Sequence, residues 1–315
     1  MNIRFILRRL LTTIIVVFGI TFIVFMIVQL VPGDPARVIL GVAASKENVA
    51  ALRERLGLNE PILVQYGAWL AGLVQGDLGN SLVTGQPVTD QLLQRLPATL
   101  TLAGAGLVAG LTIGLTAGIM SALKPYSPLD LSTSVLSQIG VSIPDFWLGI
   151  LLVLLFSLTL GWLPSQGYTP FTEDPVDWFL HLILPALTVG IISGAILTRF
   201  TRSAMLEVLN EDYIRTARAK GLSEKIVTSR HALRSALIPI VTIIGLQLTA
   251  LLSAVVVVEV VFSWPGLGRL TLNAVLDRDY PLLQGAVFVI AALLALVNLG
   301  TDILYFFIDP RVEYN

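Results

Sequence analysis

The sequence predicts an all-α, polytopic membrane protein with six transmembrane helices, and two observations carry that reading. Only 13% of the 315 residues are charged, against about 25% in soluble domains, while 55% are hydrophobic and the mean hydropathy is +0.82. The apolar residues also arrive in unbroken blocks such as Leu10–Val31 and Pro239–Val258. Such blocks are too long for strands and match the ~20 residues a helix needs to cross a bilayer with its backbone satisfied internally. A formal net charge of −1 supplies no basic field for nucleic acid. The absence of cysteine excludes disulfides, thiolate nucleophiles, iron–sulfur ligands and cysteine-based zinc sites.

Apolar windows give spans near 10–31, 98–122, 132–160, 179–199, 236–262 and 284–308. The first block is too long for a signal-peptide core and no small-residue cleavage site follows it, so this span is expected to be retained. The third is long enough to tilt, or to begin as an interfacial turn and kink at Pro144. Orientation follows from lysine and arginine placement. Arg4, Arg8, Arg9, Lys124, eight basic residues between Arg199 and Arg234, and Arg311 make 13 on one side, against 7 on the other. The loop Gly161–Trp178 holds no basic residue. Both termini are therefore expected in the cytoplasm.

Two regions lie outside the spans. In the outer segment 32–97, Ser45 can cap a short helix through Leu56 with Gly57 as its stop. Pro61 can open a second, amphipathic helix carrying Ile62, Tyr66, Trp69 and Leu73. This segment reads either as a linker or as a cap over a substrate entrance. In the cytoplasmic segment 200–235, Asn210 is a good N-cap, Glu211 and Asp212 fall in the first turn, and Lys220 falls in the last, matching the helix dipole. Gly221 is placed for a left-handed residue after that helix, and Ser223 can cap the next, which runs toward Pro239. Ala217 and Ala219 leave the first helix thin enough to enter a groove. A helix of about ten residues is marginal alone in water, so its own bundle or a partner must hold it.

Little catalytic chemistry is available. Lys46, Lys124, Lys220 and Lys225 follow Ser, Leu, Ala and Glu, so no P-loop is present. His181 and His231, the only histidines, fall on opposite sides of the membrane in this topology and build no metal site. No catalytic residue and no metal ligand is assigned. Asp145, Glu259 and Asp302 lie in or at the edge of apolar spans. They read either as parts of a translocation path or as interfacial, structural acids.

The stretch Glu211-Asp-Tyr-Ile-Arg-Thr-Ala-Arg-Ala-Lys-Gly221, followed by Arg230-His-Ala-Leu-Arg-Ser-Ala-Leu-Ile-Pro239, resembles the EAA loop of ABC importer permeases. Pro32-Gly-Asp-Pro35, Leu56-Gly-Leu-Asn-Glu-Pro61, Trp264-Pro-Gly-Leu-Gly-Arg269, Arg278-Asp-Tyr-Pro281 and Asp309-Pro-Arg311 narrow the likeness to the peptide/nickel branch, and it covers essentially the whole chain in order. The chain most resembles the first-type permease subunit of dipeptide, oligopeptide or glutathione importers. A nickel or other small-solute permease is the alternative within the family. The resemblance implies the type I, MetI-like permease fold in a bacterial or archaeal cell membrane. It also implies a second, non-identical permease, two ABC ATPase subunits that use ATP and Mg, and an extracytoplasmic substrate-binding protein. The chain itself would be a transporter subunit with no enzyme activity and no bound cofactor, its surroundings lipid and not nucleic acid.

Carried over, the ATPase-coupling element is Glu211 through Gly221, with Ala217 and Ala219 against the ATPase and Gly221 making the bend. The acidic opening departs from the family pattern, so Glu207, Glu211 or Asp212 could hold its acidic position. The implied division is 1–96 for the first span and outer segment, 97–308 for the permease core with its cytoplasmic loop 200–235, and 309–315 for a tail. Six helices enclose little beyond their own side chains, so the path is expected between two permeases, lined by spans two to five. A stand-alone secondary carrier would want internal repeats and helices broken at midplane. No repeat is evident, and the glycine-rich stretch 104–118 reads as small-residue helix packing.

Overall fold

The computed structural model describes residues 3–30, 36, 40, 44–55 and 57–308. The motifs Pro32–Pro35 and Asp309–Arg311, the residue Leu56 and the tail 309–315 lie outside the described residues. Among those described, regular structure is helical apart from one isolated β-bridge, Asn80–Pro87. In order the helices are α1 (Ile3–Leu30), α2 (Lys46–Arg55), α3 (Ile62–Val74), α4 (Val88–Leu123) and α5 (Pro128–Ser142). They continue with α6 (Asp145–Thr159), α7 (Pro175–Leu209), α8 (Asp212–Ala219), α9 (Glu224–Val261), α10 (Leu267–Leu276) and α11 (Tyr280–Ile308). The second half of α6, Val153–Thr159, and the segment Val227–Ala232 of α9 are π-helical.

Five of these helices are long and apolar enough to cross a membrane, and six if the bent pair α5–α6 is one span. The pair turns through 112° between Ser142 and Asp145. Pro144 explains the break: it disfavours helical backbone at the preceding Ile143, which is extended at φ −86°, ψ 129°. Tilting as a single rod, one of the two expected outcomes, does not occur. Elsewhere the helices outrun the apolar windows. α4 begins at Val88, α7 continues to Leu209 and α9 begins at Glu224. Hydropathy marks the part of a helix that lipid surrounds, not the point where its backbone bonds stop. The boundary expected at 96/97 lies inside α4.

The chain divides into two compact units. The first comprises residues 1–98 and 265–296. Here Ser45 caps α2 as expected, its Oγ accepting from Asn48 N at 3.2 Å, and Gly57 ends the turn with φ +67°. The aromatic face of α3 is turned onto α1. The Tyr66 hydroxyl donates to the Phe18 carbonyl at 3.2 Å, and its ring meets Phe22 and Phe25 edge-on at 5.2 and 5.4 Å. Trp69 stacks on Tyr66 and meets Phe288. A buried core joins Leu78, Val88 and Leu92 to Leu267, Leu282 and Ala286.

Asp279, 1% exposed, staples this core. Its carboxylate accepts from the Ser81 hydroxyl, from Leu82 N at 3.1 Å and from Leu282 N at 3.3 Å, the last making it the N-cap of α11. Arg278-Asp-Tyr-Pro281 thus reads physically as cap, first helical residue and a proline where no N–H is needed.

The second unit, residues 99–264 and 297–315, is built around α7. Gly106, Gly110, Gly114 and Gly118 recur every fourth residue on α4 and face α7. A Cβ at Gly106 would lie 2.8 Å from Val189 Cγ1, at Gly114 2.6 Å from Leu197 Cβ, and at Gly118 2.6 Å from Thr201 Cβ. Gly190 and Gly194 answer from α7: added Cβ atoms would sit 2.5 Å from Ala109 and 3.0 Å from Ile113. Lipid offers no hydrophobic drive for two apolar helices to pair, so close backbone approach supplies the dispersion contacts instead. α5 joins the same helix through Gly140, whose Cβ position lies 2.8 Å from that of Ala195. The glycine-rich stretch is a packing seam.

Gly114→Val is expected to destabilise this unit by about 1–3 kcal/mol through overpacking. Gly104→Ala, where nothing lies within 4 Å, should leave it unchanged or slightly more stable. Thermal denaturation midpoints in detergent compare the two.

Candidate functional site

The polar helix α8 lies between α7 and α9, where the sequence placed its candidate site. Asn210 is not its N-cap. It is the C-cap of α7, at φ −90° and ψ −6°, with its Nδ2 donating to the Leu206 carbonyl at 2.9 Å. The longer helix runs on far enough to claim it. The N-cap position falls to Glu211, extended at φ −67°, ψ 148°, whose side chain makes no capping bond. Asp212 follows in the first turn and pairs with Arg215 at 3.2 Å, both exposed.

The inner face of α8 is set by Ile214, fully buried, and Ala217, 7% exposed. They enter a cluster with Met205 of α7 and with Val227, Ala232 and Ala236 of α9, all fully buried. The Tyr213 hydroxyl donates to Ser235 Oγ at 3.0 Å beside this cluster. Ala217 therefore departs from its expected role. Its small side chain faces the chain's own bundle and not a partner, because residues 214 and 217 share one face of a helix and that face is apolar. Ala219 is exposed, as are Glu211, Asp212, Arg215, Lys220 and Gly221.

The turn after α8 takes the expected form. Gly221 sits at φ +79° with its N–H on the Arg218 carbonyl at 2.9 Å. Arg218 then reaches across the turn to Glu224, Nη2 to Oε1 at 2.6 Å and Nε to the same oxygen at 3.0 Å. That hydrogen bonding holds the guanidinium above its usual pKa. Ser223 opens α9 through its backbone carbonyl, which accepts from Val227 N at 3.0 Å, without a side-chain cap. An open groove of about 590 Å³ runs beside this turn, lined by Leu123, Pro125, Asn210, Arg218, Glu224 and Thr228 among others.

The three membrane acids lie on three different helices, α6, α9 and α11. Glu259 is fully buried near the end of α9 and accepts from Thr99 Oγ1 at 2.6 Å. Asp145 is half-buried in the first turn of α6, after the break, and no hydrogen bond joins it to Glu259 or Asp302. Asp302 is half-buried on α11.

One charged pair escaped the sequence reading. Asp130, 4% exposed, accepts Arg202 Nε at 2.6 Å and Nη2 at 2.8 Å, together with the Ser121 hydroxyl and Tyr126 N at 2.8 Å. It fastens the end of α4, the start of α5 and the C-terminal part of α7 into one corner. Ser127-Pro128 ahead of Asp130 signals a helix start, but nothing local names Arg202 as the partner.

Two family profiles match the chain: the binding-protein-dependent transport system inner membrane component over residues 114–314, and the N-terminal component of such membrane proteins over 2–103. The oligopeptide transport system permease protein AppB of Bacillus subtilis is 44% identical over 313 residues, covering 98% of this chain and 99% of the relative. The dipeptide transport system permease protein DppB of Alkalihalophilus pseudofirmus is 42% identical, covering 98% of each. Among solved structures, the inward-facing MetNI methionine ABC transporter matches with a TM-score of 0.58 at 18% identity, over 69% of this chain and 96% of that one. That likeness bears on the fold, which is of the MetI-like permease kind. The chain belongs to the binding-protein-dependent transport system inner membrane components: it is a multi-pass permease subunit of an ABC importer, a transporter component and not an enzyme.

Proposed function

We propose that this permease imports di- and oligopeptides, working with a second, non-identical permease, two ATPase subunits that use ATP and Mg, and an extracytoplasmic binding protein. The observation that carries the substrate class is full-length identity of 44% and 42% to permeases named for oligopeptide and dipeptide transport. Both termini and α8 lie on the cytoplasmic side, a reading supported by the basic residues that flank α8 on both sides.

In this reading α8 couples ATP hydrolysis to the spans through its outward residues: Glu211, Asp212, Arg215, Ala219, Lys220 and the turn at Gly221. Its inward residues, Ile214 and Ala217, transmit the push to α9. Asp145, Glu259 and Asp302 serve the structure of the spans, with Glu259 held by Thr99.

Reconstituting the complete importer with its binding protein tests the substrate class. ATP-dependent accumulation of tri-alanine is expected, and accumulation of nickel with no peptide uptake would overturn it. Topology is read separately, because the chain has no cysteine of its own. A cysteine replacing Ala50 should react with an impermeant reagent added outside, and one replacing Arg215 only after the membrane is opened.

Substitutions on the two faces of α8 should part company. Ala217→Arg forces a charge into a packed cluster and should prevent stable folding. Ala219→Arg should leave the chain folded but reduce ATPase copurification. Gly221→Val meets no side-chain clash, so its cost of about 1–2 kcal/mol comes from the left-handed backbone alone. Gly221→Asn should recover most of it, since asparagine tolerates that conformation. Substrate-stimulated ATP hydrolysis of the assembled complex checks the series.

A further inference from the structure

Thr242, Leu246, Thr249 and Ser253 form one partly exposed stripe along the membrane portion of α9. Two of its hydroxyls turn back to their own helix: Thr242 donates to the Ile238 carbonyl and Ser253 to that of Thr249, each at 3.2 Å. Thr249 does not. Its hydroxyl leaves the helix and donates to Asn298 Oδ1 on α11 at 2.5 Å. Asn298 is exposed, and the other end of its amide has no partner among the described residues. Whichever way the amide is turned, one end is held and the other faces outward.

An amide end facing hydrocarbon with nothing to bond is heavily penalised, so this face of α9 and α11 is not built for lipid. The exposed stripe of α4 shows what such a face looks like. Its hydroxyls, Thr112 and Thr116, donate to Val108 and Thr112 carbonyls at 2.8 and 2.5 Å and leave no donor outstanding. The same kind of membrane helix thus carries two kinds of exposed surface, one closed on itself and one open.

Resting on the peptide-import reading above, we propose that Asn298, held by Thr249, lines the translocation path and hydrogen-bonds the main chain of the peptide in transit, which adds the sixth span to the spans two to five expected to line it. A primary amide offers the donor and acceptor set of a peptide group. That set is presented by every residue of a substrate whatever its side chains, which suits a path that must pass many sequences. A neutral hydrogen bond is also weak enough to be exchanged for the next one as the chain moves on.

The test uses single cysteines replacing Asn298 or Thr249 in the complete importer, with partner subunits made cysteine-free. A water-soluble, impermeant thiol reagent should label both positions, and tri-alanine with its binding protein should slow that labelling. Asn298→Leu should lower tri-alanine uptake by about tenfold, the worth of one hydrogen bond in a site that excludes bulk water. It should lower uptake of tripeptides with other side chains equally. Labelling without protection by peptide would overturn the contact. Crosslinking of the cysteines to the second permease would make this face a subunit seam instead. No labelling in either variant would place it in lipid and overturn the proposal. If the wild-type importer accumulated no peptide at all, the substrate reading would fail, and labelling would still report whether the face is wet.

Discussion

The close approach of α4 to α7 is the constraint on which the permease core depends. In water two apolar helices are driven together by hydration; in lipid they are not, and only short-range contact distinguishes one neighbour from another. A glycine on every fourth residue of α4, answered by Gly190 and Gly194 on α7, lets the two backbones meet along several turns. With α7 fixed in this way, α5 packs through Gly140 against Ala195, and Asp130 ties the start of α5 to Arg202. The polar pair acts at the end of the seam, where a half-exposed guanidinium keeps the cost of burying the carboxylate low.

The seam also fixes where α8 can sit. α7 continues past its apolar window to Leu209 and leaves α8 to begin almost at once. α8 then folds back onto the π-helical opening of α9, where Val227 and Ala232 receive Ile214 and Ala217. A π turn inserts an extra residue into the helix and shifts the faces that follow it. That shift lets one helix offer an apolar floor to α8 and, further along, a different face to the membrane interior. The bidentate Arg218–Glu224 contact closes the tight turn, so α8 and α9 are held by packing on one side and by a charged strap on the other.

Much of this was legible in the sequence, and the failures have physical reasons. Span number followed from block length, and Gly57, Gly221, Ser45 and the break at Pro144 followed from backbone preferences that act within a few residues. Helix ends were misplaced because polar residues extend a helix beyond the bilayer without changing its hydrogen bonds. Asn210 was misassigned for that reason. Ala217 shows a different failure: alanine fits a foreign groove and a home core equally well. Only its placement with Ile214 on one face, against a floor contributed from residues 227–236, decides between them. Asp130 with Arg202, and Thr249 with Asn298, join positions far apart in the chain, and nothing in either neighbourhood announces the partner.

The way α8 is held has a thermodynamic consequence for assembly. A free peptide of this length would have to order itself when it met a partner, and the conformational entropy lost would be subtracted from the affinity. Here Ile214 and Ala217 are already seated and the turn at Gly221 is already closed, so that loss is met during folding of the permease. On the coupling role proposed for α8, an ATPase arriving at the membrane would find a finished peg. Its binding can be reversible and repeated through each hydrolysis cycle without the peg melting when the grip relaxes.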